Sequence, residues 1–241
     1  MSRPDLARRA AAEGFATFAL VFAGCGAIVA DAQYGGVLGV VGIALVFGLV
    51  IMAMVYATGH LSGAHINPAV TIAFALTRHF PVREVAAYVA AQLLGATLAA
   101  LCLLVVWPEA PADLGATMPS VGAASALLYE GVMSALLMFV ILAVATDTRA
   151  VGAGAAIAIG ATVGLDALFG GPVTGASMNP ARSLGPALAS ADLGSIWIYL
   201  VGPLAGTVVG AAAYELLRGE LPPAARDKPQ ASAGSDLNRG R

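Results

Sequence analysis

His65-Ile66-Asn67-Pro68-Ala69-Val70 and Ser177-Met178-Asn179-Pro180-Ala181-Arg182 are two copies of one pattern, and their shared Asn-Pro-Ala core decides the fold. Asparagine is a preferred helix cap. Proline suits the first helical position, because its missing N–H would be unpaired there anyway. Each copy therefore reads as the start of a helix. The apolar stretches that follow, 68–77 and 180–189, are too short to cross a bilayer. They read as re-entrant half-helices.

The rest of the chain supplies the membrane. Of its 241 residues 59% are hydrophobic and 11% charged, against about 25% charged in a typical soluble domain. Six apolar runs, 6–30, 36–58, 82–106, 123–146, 151–169 and 194–218, are long enough to span a bilayer. The expected fold is an all-α membrane protein of six spans and two half-helices, packed against lipid. Residues 1–218 read as a single channel domain and 219–241 as a disordered cytoplasmic tail, polar and broken by Pro222 and Pro223. Ala30-Asp31-Ala32 has a signal-peptidase look. Glu13 inside the preceding run, and the repeat's need for this helix, argue against cleavage.

Basic residues set the orientation. Arg3, Arg8 and Arg9, then Arg78 and Arg83, then Arg149, then Arg218, Arg226, Lys228, Arg239 and Arg241 fall on one side of a six-span chain. That side is the expected cytoplasm, with both termini in it. Arg182 is the one basic residue in the remaining loops.

The halves, about 6–106 and 123–218, repeat each other. Ala12-Glu13-Gly14 recurs as Tyr129-Glu130-Gly131, and each half carries one Asn-Pro-Ala between its second and third spans. Three spans per half force the second copy to insert upside down, which brings both half-helix N-termini to the midplane. Each N-terminus carries roughly half a positive charge. That field repels cations and protons, while Asn67 and Asn179 can donate hydrogen bonds to a passing solute. The glycine-rich segments 59–66 and 171–178 are expected to line the cavity with carbonyl acceptors.

These residues resemble the two signatures of the aquaporin, or major intrinsic protein, family, and the resemblance runs from about Leu6 to Arg218. It implies a right-handed bundle, a homotetramer with one pore per subunit, and an outer filter at Phe47, Ala167, Ala176 and Arg182. Ala167 departs from the water-channel pattern, where a histidine is usual, and should widen the filter. Ser183 and Ala187 resemble water channels rather than glycerol channels, and Tyr199-Leu200 is mixed.

Glu13 and Glu130 are acids within spans. Their matching positions favour a structural role, accepting hydrogen bonds from the pore-loop N–H groups, over a proton relay. His60 and His65 are expected to support the first loop, and His79 to lie at the interface. Asp166, beside the filter position toward the outer end of the fifth span, lacks a firm role: lining the outer vestibule and pairing with another chain both stay open, with solvent exposure at the helix end as the plain reading. Cys25 and Cys102 read as buried packing residues. Glycine stripes at 202, 206 and 210 and at 160 and 164 permit close helix contact. No metal constellation, cofactor, nucleic-acid surface or catalytic set is expected.

The leading expectation is a passive channel for water, with glycerol and other small neutral solutes, in a lipid bilayer. The alternatives are a glycerol- or metalloid-type channel and, from another class, a proton-coupled transporter using Glu13 and Glu130. The lack of a long targeting segment points to a prokaryotic plasma membrane.

Overall fold

The computed structural model describes residues 4–147 and 154–219. The 220–241 part of the tail, Arg3, Arg149 and the expected start of the fifth span at Val151 lie outside them. Eight α-helices follow in order among the described residues: α1 Leu6–Gln33, α2 Gly39–Ser62, α3 Pro68–Leu76, α4 Val82–Val106, α5 Ala123–Thr146, α6 Ala155–Thr174, α7 Pro180–Ala189 and α8 Ile196–Leu217. Six of them are long and apolar enough to cross a membrane. The other two, α3 and α7, are the half-helices.

Side-chain caps begin the structure at both scales. Asp5 accepts the N–H of Arg8 (2.9 Å) and starts α1. Asp31, near the end of α1, accepts the N–H groups of Leu38 (2.7 Å) and Gly39 (2.8 Å) and so starts α2. The α1–α2 connection is thereby folded back on itself.

Packing follows the repeat. In the first half α1 packs on α2 and α4; in the second, α5 packs on α6 and α8. The halves join where α2 meets α6 and where α7 meets α4. Small residues set these distances. A Cβ at Gly206 would overlap the carbonyl oxygen of Gly131, and one at Gly210 that of Ala135, so α8 touches the α5 backbone directly. A Cβ at Gly95 would overlap the Gly14 carbonyl, which closes α4 on α1 in the same manner. Helices in lipid associate through such close contacts, because the hydrophobic effect does not distinguish a neighbour helix from an acyl chain.

Several expectations change. Helices α2 and α6 run on to Ser62 and Thr174, so the non-helical pore segments are only 63–66 and 175–178. Cys102 is exposed, on the outer side of α4, while Cys25 is buried. Arg9 is no simple charge at a membrane surface. It is buried, and its Nη1 donates to Glu84 Oε2 at 2.6 Å, tying the first turns of α1 and α4 together. Asp166 is fully buried rather than solvent-exposed.

His79 lies half-buried in the turn after α3, where its Nδ1 lies 3.1 Å from Thr77 Oγ1. Burial holds its imidazole below the ordinary 6.5; Glu215 pulls it up and Arg218 pushes it down. The folded state thus disfavours the protonated ring. The associated stability is complete above about pH 6.5 and lost as pH falls through the lower folded value.

Two predictions follow from this packing and this turn. Gly206→Ala lowers the thermal midpoint in detergent, because overpacking costs about 1–3 kcal/mol. Gly59→Ala, where a Cβ meets nothing within 4 Å, leaves the midpoint unchanged or raises it; equal effects would contradict the packing described. Between pH 7 and 5 the wild-type midpoint drops, and His79→Gln flattens that drop.

Candidate functional site: two crossed asparagine turns

Asn67 and Asn179 each cap a half-helix with the side-chain oxygen. Asn67 Oδ1 accepts the N–H of Ala69 (2.9 Å). Asn179 Oδ1 accepts the N–H of Ala181 (3.0 Å) and, more weakly, of Arg182 (3.4 Å). Pro68 and Pro180 occupy the first helical positions. The side-chain nitrogens cross over: Asn67 Nδ2 donates to Met178 O (2.8 Å) and Asn179 Nδ2 to Ile66 O (2.9 Å). These reciprocal bonds hold the two half-helix starts together, and nothing in the sequence announced them. Each amide carries two N–H groups, so each keeps a second donor.

The segments ahead of the caps repeat residue by residue. Gly63, Ala64 and Ile66 have left-handed φ angles, and so do Gly175, Ala176 and Met178. For the non-glycine residues this is strained, at about 1–3 kcal/mol each. The twist turns the Ile66 and Met178 carbonyls toward the opposite asparagine and their N–H groups the other way.

Those N–H groups meet a buried acid. Glu13 accepts from His65 N (2.9 Å), Ile66 N (2.6 Å), Ser62 Oγ (2.6 Å) and Gln92 Nε2 (2.9 Å). Glu130 accepts from Ser177 N (2.9 Å), Met178 N (2.8 Å) and Thr174 Oγ1 (2.7 Å). Both acids are fully buried. Tyr88 donates to Ser62 O (2.8 Å) and Tyr199 to Thr174 O (2.6 Å), a second matched pair.

The polar residues behind the loops also differ between halves. His65 Nδ1 lies 3.1 Å from Thr71 Oγ1, and its ring sits among Phe74, Phe80 and Tyr88. In the second half Ser177 Oγ lies 2.6 Å from Ser183 Oγ, which lies 2.7 Å from Thr117 Oγ1. His60, expected to support the first loop, does not. Helix α2 continues past it, and its side chain is exposed with no hydrogen bond to the loop.

Phe47, Ala167, Ala176 and Arg182 are all buried, and three of them belong to one apolar cluster with Met178 and Val163. The Arg182 guanidinium carbon lies 5.0 Å from the centre of the Phe47 ring. Arg182 Nη1 donates to Gly115 O (2.7 Å) and to Cys25 Sγ (3.3 Å). Its Nε and Nη2 have no protein partner, although the residue is 1% exposed. Gly115 sits in a left-handed turn over Pro111–Gly115, where a Cβ would strike Cys25. Gly24 clears the space for the Phe47 ring. Gly24, Cys25 and Gly115 were not singled out as site residues from sequence. Their common signal is smallness, which many membrane helices share. No group of three or more metal-binding side chains occurs among the described residues.

The family model for the major intrinsic proteins matches residues 1–214. The chain belongs to the major intrinsic protein family. It is 52% identical over 207 residues to aquaporin NIP1-1 of Oryza sativa subsp. japonica, covering 86% of this chain and 73% of that one. It is 50% identical over 207 residues to nodulin-26 of Glycine max, covering 86% and 76%. The X-ray structure of the aquaglyceroporin from Plasmodium falciparum superposes with a TM-score of 0.78 at 25% identity, over 89% of this chain and 98% of that one. This family member is a passive membrane channel for water and small solutes. One expectation is overturned: the curated relatives named here are plant proteins, against the expected prokaryotic membrane. The multi-pass membrane character stands.

Glu130→Ala would strip the acceptor from Ser177 N, Met178 N and Thr174 Oγ1. Each buried donor left unpaired costs about 1–3 kcal/mol. A large fall in thermal midpoint with loss of water flux is expected, and an unchanged midpoint would contradict the account.

Proposed function

We propose that the crossed turns set a charge rule for permeation and that Phe47, Ala167, Ala176 and Arg182 set a size rule. Residues 1–218 act as one channel domain built from its two halves. The observation that carries this reading is the free donor set. Asn67, Asn179 and Arg182 each keep N–H groups without protein partners, close to two helix N-termini that aim partial positive charge at one point. Such a region attracts the oxygen of a neutral solute and repels a cation. A water molecule held by two donors is oriented and poorly placed to pass a proton.

Arg182 hydrogen-bonds the solute and adds a full positive charge. Phe47 forms the apolar wall. Ala167 and Ala176 leave more room than a bulky donor would, so glycerol and similar solutes pass alongside water. The chain works as a homotetramer with one pore per subunit, a reading that rests on the family resemblance. A proton-coupled mechanism is disfavoured by the acids themselves: four donors hold Glu13 and three hold Glu130, so both are committed to the loops.

Stopped-flow light scattering of proteoliposomes tests the channel. Osmotic shrinkage well above that of empty vesicles is expected, and shrinkage at their rate would sink the water reading. Ala167→His should cut glycerol flux more than water flux, whereas equal loss of both would count against the size rule.

A further inference from the structure

Asp166 is used by nothing above. It is 0% exposed on α6, and neither carboxyl oxygen has a protein partner. Buried polar groups are in general hydrogen-bonded, and a buried carboxyl without a partner is costly. The charge acting on it is that of Glu130, another carboxylate, whose oxygens face the second loop and can only accept. The site therefore needs a donor from elsewhere.

Two features make this half of the molecule polar-deficient. Tyr88 and Gln92, one turn apart on α4, both serve the first half, Gln92 by donating to Glu13 and to Thr71. On α8 Tyr199 takes the part of Tyr88, but the residue one turn on is Pro203, which donates nothing. Ser134 Oγ, one turn from Glu130, is also buried and unpaired.

Location points to what fills the gap. Asp166 adjoins Ala167 and shares the buried face of α6 with Val163 and Gly170. A Cβ at Gly170 would overlap Met133 and touch the Ala176 side chain, so α6 lies flush against the proposed constriction one turn from Asp166.

We propose that Asp166 is a specificity-determining residue: its carboxyl accepts a hydrogen bond from an O–H or N–H group of the solute passing Ala167. Arg182 and the asparagines supply donors; Asp166 supplies the opposing acceptor. The channel then favours small neutral solutes with several donors, polyols and amides, over solutes that only accept. The inference rests on the channel reading above and names its solute class.

The test is the ratio of glycerol to water permeability in one set of proteoliposomes, so that channel number cancels. Asp166→Leu should lower the ratio about fivefold, the value of one lost hydrogen bond. Asp166→Asn, which keeps an acceptor oxygen, should stay within about twofold of wild type. If Asp166→Leu does not fold, Asp166→Ala reads the same ratio. An unchanged ratio with a lowered melting temperature would mean that the carboxyl holds only a resident water, and would overturn the proposal. Equal loss in the Asn and Leu variants would overturn it too. Normal water flux with an unchanged ratio defeats this inference alone; absent water flux in the wild type defeats the channel reading with it.

Discussion

The backbone N–H groups of residues 65, 66, 177 and 178 lie outside any helix in the middle of an apolar bundle, and each must find an acceptor there. Lipid offers none, and an unsatisfied group at that depth costs several kcal/mol. Glu13 and Glu130 meet the demand, one carboxylate per loop. Their bonds hold left-handed backbone at Ile66 and Met178. That backbone in turn presents the carbonyls that accept from the opposite asparagines. Removing the acids would therefore release the loops, then the crossed caps, and with them the proposed charge rule.

The repeat explains why one solution is used twice, and its departures fall at the proposed constriction. The caps, acids and tyrosines match between halves. The side chains at the proposed constriction do not: Phe47 comes from α2, Ala167 from α6 and Arg182 from α7. Arg182 is kept in place by a carbonyl and a thiol, both neutral, and it makes no ion pair with a carboxylate among the described residues. An arginine paired with an acid would offer a solute far less.

The sequence made the large features legible because membrane physics leaves few choices. Long apolar runs must be helices, and basic loops give their direction. Spans 82–106 and 123–146 and the half-helix 180–189 match the observed helices end for end. The repeated Glu-Gly and Asn-Pro-Ala were enough to pair the two acids with the two loops. What escaped was geometry that residue identity does not encode. The cross-bonds depend on two distant segments meeting. The clearances at Gly24 and Gly115 depend on which ring or thiol lies opposite. His60 looked like a loop residue because helix α2 runs longer than its glycine content suggests. Asp166 looked exposed because its sequence neighbours do not reveal that it falls on the buried face of α6.

The central claim is that two opposed, cross-bonded helix starts pass neutral molecules while excluding protons. It is tested most directly by measuring osmotic shrinkage and the collapse of an imposed pH gradient in the same proteoliposomes. Shrinkage much faster than in empty vesicles, with pH collapse no faster than theirs, is the result expected. Proton leakage that rises in step with water flux would contradict it.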